Sequence, residues 1–297
     1  MRQALRPLLP KEFKGLLDEL LEVGSRRPLE LIRVVPRRTL AVSLTGHQCG
    51  LNCAHCGGHY LKGMRPIQEL SDSDFSIADS LLISGGSDAS GAVPIINHLE
   101  RLLSLPAHLK LNLHLGIQEI TPIKPLLERP GITVSCDLIG DRETILETFG
   151  LSHTPGEYFS LYTEAAAIAN TVPHLTLGLR GGRLSGEENV IESLRQCPPS
   201  SLTFLSFRPT PDTTYASSPP IAPQDAAKII GLAARILPAS TRLHVGCMRP
   251  AGAWRKEFDV LSWAAGARTL VMPDRELAGV LESIGIPVRE SLECCSL

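Results

Sequence analysis

From Thr39 onward, short apolar runs alternate with amphipathic stretches at a fairly regular beat, and few folds accommodate that pattern. It is the signature of β/α units around a parallel sheet, whose strands are covered on both faces and linked by crossover helices. Eight strands are predicted: Thr39–Leu44, Leu81–Ser84, Leu109–Leu115, Gly131–Asp137, His174–Leu179, Leu202–Phe207, Thr241–Gly246 and Arg268–Met272. Helical spacing fills the gaps, at Val93–Leu103, Asp141–Phe149, Glu157–Asn170, Glu187–Arg195, Pro223–Ile236 and Trp254–Ala265. The expectation is an α/β fold, either a (β/α)8 TIM-type barrel or a partial six-stranded barrel with two looser units. Active residues then belong at the C-terminal ends of the strands. Residues 1–38 are expected to form a helical extension, with helical spacing over Lys11–Val23 and a proline-containing connector over Arg26–Arg38. Residues 39–285 make the barrel, and 286–297 a tail over its mouth.

The run Cys49-Gly-Leu-Asn-Cys53-Ala-His-Cys56 directly follows the first predicted strand, on the rim where a cofactor site belongs. Three thiolates at this spacing on a glycine-containing loop can converge on one metal centre. A structural zinc takes four closed ligands, and a fully protein-bound iron–sulfur cluster takes four cysteines. Three cysteines on a [4Fe–4S] cubane leave one iron open to a small molecule. Two plainer readings stand beside this one. His47, His55 or His59 could complete a zinc site, or the thiols could be unrelated small hydrophobes.

The bulk composition fits an ordinary soluble protein with a sizeable core, with 43% hydrophobic and 20% charged residues. A net charge of −2 gives no electrostatic reason to expect nucleic acid. No apolar run reaches membrane-spanning length, and the first residues lack a basic-then-apolar signal segment, so a cytoplasmic location is expected. In that compartment the eight cysteines should be thiols or metal ligands rather than disulfides.

With a cysteine loop after strand one of a β/α barrel, the chain resembles the radical S-adenosylmethionine enzymes. His55 stands where that family often has an aromatic residue. The stretch Ser43–Gly46 through Cys56-Gly57-Gly58 resembles its biotin-synthase-like branch, as do Ser84-Gly-Gly-Ser-Asp88, Pro209–Thr213 and Gly246–Pro250. The resemblance implies a cluster whose open iron binds the amino and carboxylate groups of S-adenosylmethionine. Reductive cleavage then releases methionine and a 5′-deoxyadenosyl radical, which takes hydrogen from an unactivated carbon. The cofactor carries the hard step and the protein positions its partners. An electron donor such as ferredoxin or flavodoxin is implied too.

Gly85 and Gly86, lacking side chains at a strand end, let backbone approach a ligand closely, and the methionine amino group is expected there. An ordinary strand-to-helix turn is the alternative. His114 and Asp137, near the ends of strands three and four, are candidates to bind the ribose or the methionyl carboxylate. Satisfied interior polar residues are the plainer reading. Gly181-Gly182 after strand five is a candidate to give the adenine room.

Of the other cysteines, Cys136 reads as core and Cys197 has no obvious partner. Cys247 ends predicted strand seven, while Cys294 and Cys295 lie in a polar tail with little packing reason to carry two thiols. Together the three are expected to hold an auxiliary [4Fe–4S] cluster, completed by Ser296 or a substrate atom; incidental thiols are the alternative. Such a cluster is a sulfur reservoir. This pattern resembles a component of the two-protein lipoyl synthases, in which two paralogous radical enzymes add sulfur to an octanoyl chain on a lipoyl carrier protein. The chain departs from single-chain lipoyl synthases in having no C-x4-C-x5-C motif near its N-terminus. Two other readings remain: a single-cluster mutase, dehydrogenase or methylating enzyme, and a non-catalytic iron–sulfur or zinc protein. Neither nucleic acid nor membrane is an expected partner.

Overall fold

The computed structural model describes residues 1–297. Eleven strands form one sheet: β1 (Leu31–Val34), β2 (Thr39–Ser43), β3 (Arg65–Pro66), β4 (Ser80–Ser84), β5 (Lys110–His114), β6 (Ile132–Asp137), β7 (Asn170–Leu177), β8 (Ser201–Ser206), β9 (Arg242–Val245), β10 (Thr269–Val271) and β11 (Val288–Ser291). Their spatial order is β11-β1-β10-β9-β8-β7-β6-β5-β4-β2-β3, and every pairing is parallel. The edge strands β11 and β3 do not pair with each other, so the sheet is an open parallel half-barrel.

All eight expected strands are present, with ends moved by at most four residues. The other three are not announced by the pattern. β3 is two residues long, β1 lies within the stretch that reads as a connector, and β11 lies within the tail. β11 does not stand out from its polar neighbours, and in β1 the apolar run is broken by Arg33; Arg33 and Glu290 are half exposed and pair across the two strands. They are strands because β10 supplies β1 with a partner, and β1 supplies β11 with one.

The helices start where local chemistry favours it. Thr154 and Glu157 form a reciprocal capping box, Asp141 accepts from the Thr144 amide, and Pro223 opens the helix Pro223–Ile236. The N-terminal helix Lys14–Gly24 packs against Pro223–Ile236 and Ala253–Ala264, so the extension belongs to the barrel's outer layer. No helix is long and apolar enough to cross a membrane.

The tail folds back into the barrel. After β11, the Arg38 amide donates to the Leu292 carbonyl, Lys110 pairs with Glu293, and the Cys294 amide donates to Thr39 Oγ1. Thr39 and Lys110 open β2 and β5, so the tail enters where those strands begin, away from the cysteine-bearing loop that follows β2.

Candidate active site

The loop after β2 is tied to three neighbouring segments by backbone hydrogen bonds. Gly50 N donates to Ser87 O (2.6 Å), Ala54 N to Thr148 O (2.8 Å) and Tyr215 N to Ala54 O (2.9 Å). Thr45 Oγ1 donates to Gln48 O and accepts from Gly86 N, both at 2.7 Å. The Tyr215 hydroxyl donates to Glu147, pinning the Pro209–Tyr215 loop beneath the cysteines. Glu147, Thr148 and Tyr215 carry no chemical signature in the sequence, and their support of this loop appears only in three dimensions.

Gly86 has a different task from the one its position suggests. A Cβ there would stand 2.0 Å from Gln48 O and 2.5 Å from Cys49 Cα. The vacant side-chain space is taken by the cysteine loop, not by a ligand. At Gly85 the nearest atom to a Cβ is the Thr45 methyl at 3.3 Å, a tight but yielding contact. Both glycines still border the cavity.

Ligand atoms of Cys53, His55 and Cys56 lie within 4.8 Å of one another. Cys49 stands outside that group, its thiol 3.9 Å from Ser87 O. Of the histidines considered as zinc ligands, only His55 joins the group; His47 Nδ1 lies 3.2 Å from Leu61 O, and His59 lies edge-on to Tyr60. The Cys53 hydrogen bond holds the Cys56 thiol down to about 4 against the opposing effect of burial, with His55 assisting; Cys53 is pushed well up in return.

One cavity of about 260 Å³ is lined by Cys49, Cys53, Cys56, Gly85, Gly86, His114 and Asp137, all seven residues expected around the first cluster and its nucleoside. Burial raises the Asp137 carboxyl, with nearby His55 acting against it, and burial lowers His114 to about 4. A second cavity of about 240 Å³ shares His55, Tyr60, His114 and Asp137 with the first and continues inward to His174, Leu205 and Met248. Two polar atoms of the shared wall, His55 Nδ1 and Tyr60 Oη, are buried without a partner. Soft thiolate donors on one side and orphaned polar atoms on the other fit an iron–sulfur cluster with a polar organic ligand. Gly181 and Gly182 border neither cavity: their Cβ positions face Tyr215 and Ser218, and Pro219.

The tail builds a second thiol group. The Cys294 thiol accepts from Asn112 Nδ2 at 3.5 Å, and Asn112 is oriented by Ser135. Cys294 and Cys295 are hydrogen-bonded, which lowers Cys294 to about 6 and raises Cys295. Cys247, which follows β9, is exposed, and the three thiols of Cys247, Cys294 and Cys295 do not converge within 4.8 Å of one another. Ser296 Oγ lies 3.3 Å from His174 Nε2, on the far wall of the second cavity. Cys136 is buried in the core, and Cys197 packs against it with its carbonyl accepting from Tyr162.

No family model matches the chain, and no curated protein matches it in sequence. Solved structures do match its fold. One is the FeFe-hydrogenase maturase HydG from Carboxydothermus hydrogenoformans, with a TM-score of 0.64 and 14% identity, covering 92% of this chain and 71% of that one. Another is methylornithine synthase (PylB), with a TM-score of 0.64 and 11% identity, covering 97% and 94%. At such identities the likeness is one of fold.

Proposed function

We propose that the chain is a radical S-adenosylmethionine enzyme that inserts sulfur into an octanoyl chain on a lipoyl carrier protein, together with a paralogous partner. The observation that supports it best is the entry of the tail into the barrel, where Cys294 meets Asn112 and Ser296 meets His174, a wall residue of the cavity that adjoins the one lined by Cys49, Cys53 and Cys56. A single-cluster enzyme has no need of a second thiol group so placed.

In this reading Cys49, Cys53 and Cys56 hold the first [4Fe–4S] cluster, and Cys247, Cys294 and Cys295 hold the second. When bound, the first cluster and S-adenosylmethionine supply a 5′-deoxyadenosyl radical and the second supplies sulfide. The protein's part is placement. The backbone at Gly85-Gly86, with His114 and Asp137, orients the nucleoside, and Phe149, Leu151 and Ile139 line the cavity so that water is kept from the reacting carbon. Leu138, Leu179, Leu205 and Met248 give the inner cavity an apolar wall suited to an alkyl chain. Ferredoxin or flavodoxin is the proposed electron donor, and the cytoplasm the proposed location.

Anaerobic reconstitution with an octanoyl-lysine peptide tests this directly. The expected results are about eight irons per chain for two cubanes, release of 5′-deoxyadenosine, and a product mass increased by sulfur. About four irons with 5′-deoxyadenosine release but no sulfur gain would replace this reading with a single-cluster enzyme. The closeness of His55 to Cys53 and Cys56 favours one rival, a zinc site. Stoichiometric zinc in anaerobically purified protein, with no 5′-deoxyadenosine after reconstitution, would establish that rival.

A further inference from the structure

Two walls of the nucleoside cavity come from separate segments. The turn after β4 supplies Gly86, Ser87 and Gly91. The stretch from the end of helix Arg142–Phe149 into helix Pro155–Ala166 supplies Phe149, Leu151 and Tyr158. Gly91 faces Leu151, whose Cδ1 would stand 2.8 Å from a Cβ there. His153 spans the two walls by hydrogen bonds. Its Nε2 lies 2.9 Å from Ser90 O on the first, and its Nδ1 lies 2.8 Å from Glu157 Oε1 on the second.

Both partners are acceptors. A backbone carbonyl has no proton to give, and the other oxygen of Glu157 accepts from the Thr154 amide and hydroxyl at 2.7 and 2.8 Å. The ring satisfies both contacts only with a proton on each nitrogen, as an imidazolium. A neutral ring, in either tautomer, turns a lone pair toward an oxygen. The Glu157 hydrogen bond accordingly raises His153 against the opposing effect of burial, with Ser90 O assisting, and His153 and Thr154 hold Glu157 down to about 2. Of the neighbouring titratable groups, Asp88 is turned onto the Ser90 and Ala92 amides of its own loop, and Tyr158 lies edge-on with ring centroids 6.4 Å apart.

We propose that His153 is a positioning residue, a protonation-dependent clasp that joins two walls of the nucleoside cavity and so sets how tightly S-adenosylmethionine is held. This rests on the radical S-adenosylmethionine reading above and is independent of which substrate carbon is attacked. With its proton the clasp is closed, fully so at and below the ordinary histidine value of about 6.5, and it opens as pH rises through the raised one. Affinity for the nucleoside should therefore fall on the alkaline side.

Calorimetric titration of the reconstituted full-length protein with S-adenosylhomocysteine, an analogue without the cleavable sulfonium, tests this at about pH 6.5 and about pH 8.5. Between the two, the unaltered protein should lose about fivefold in affinity, as for a charge-assisted contact at a partly exposed site. His153→Gln takes up no proton, and at both pH values it should bind about as weakly as the unaltered protein does at the higher. Hydrogen exchange over residues 88–93, corrected for the intrinsic rate, follows the clasp without ligand. Protection should fall with pH in the unaltered protein and be low and level in His153→Gln. The same pH dependence of affinity in both proteins would overturn the proposal, and so would a change in exchange with no change in affinity. Lower thermal stability of the variant with an unaltered affinity profile would reduce His153 to a structural contact. If the unaltered protein binds no nucleoside at either pH and forms no 5′-deoxyadenosine from S-adenosylmethionine, the nucleoside reading falls and the clasp with it.

Discussion

The two thiol groups are built in opposite ways. Cys49, Cys53 and Cys56 lie within eight consecutive residues, on a loop fastened by backbone hydrogen bonds to Ser87, Thr148 and Tyr215. Cys247 follows a strand end, and Cys294 and Cys295 lie in a distant tail that contacts to Asn112, Thr39 and His174 hold inside the barrel. In the first site Cys53 and Cys56 already stand together with His55, while Cys49 lies outside their group. The second depends on the tail finding its groove, so the two should respond differently to local damage.

The largest expected contrast is between neighbouring glycines. Gly86→Ala would drive a Cβ into Gln48 O and Cys49 Cα, both backbone atoms that cannot rotate away. Iron bound by the first site and 5′-deoxyadenosine release should fall to background, measured by iron analysis and product chromatography. Gly85→Ala meets only the Thr45 side chain and should stay within a few-fold of the unaltered protein. Equal loss in both variants would show that the pair serves a ligand rather than the loop.

Cys247→Ala sharpens the comparison from the other side. It should leave the first cluster and 5′-deoxyadenosine release intact, remove roughly half the iron, and abolish sulfur gain in the product. Normal sulfur transfer by this variant would take Cys247 out of the auxiliary site.

A pH effect of intermediate size separates the barrel interior from the rim. Burial lowers His114 to about 4 and His244 to about 3, the latter helped by Arg242. The unfolded chain binds protons near the ordinary histidine value and the folded one does not. The stability these neutral imidazoles contribute is thus full above about 6.5 and is lost as pH falls toward 4. Each should cost of order 2 kcal/mol between pH 7 and 5. His244→Gln should flatten the fall in Tm over that range, as followed by circular dichroism; an unchanged slope would remove His244 as a source.

The smallest effect is expected at Tyr215. Tyr215→Phe removes the hydrogen bond to Glu147 and should lower stability by about 1 kcal/mol, read by denaturant unfolding, with slower cluster reconstitution at the first site and none at the second.

Legibility in the sequence follows the same division. The cysteine spacing, the eight expected strands and the helix Pro223–Ile236 could be read because each is a local pattern with a local cause. The placement of His114 and Asp137 on the cavity wall followed from their strand-end positions. Gly86 was assigned the right place and the wrong neighbour, since nothing local reveals that Gln48 and Cys49 fill the space. Gly181-Gly182 met the same kind of competition, from Tyr215 and Pro219.

Taken by itself, the sequence determined a parallel β/α chain with three closely spaced cysteines after its first predicted strand, because periodicity and short-range spacing act through neighbouring residues. Only the tertiary structure decided that the sheet stays open, that β1 and β11 exist, and that the tail reaches Asn112 and His174. Those outcomes depend on edge pairing and on contacts such as Asn112 with Cys294, between groups 182 positions apart. No local pattern encodes a partner at that distance, and a strand without apolar alternation is recognisable only once another strand lies beside it.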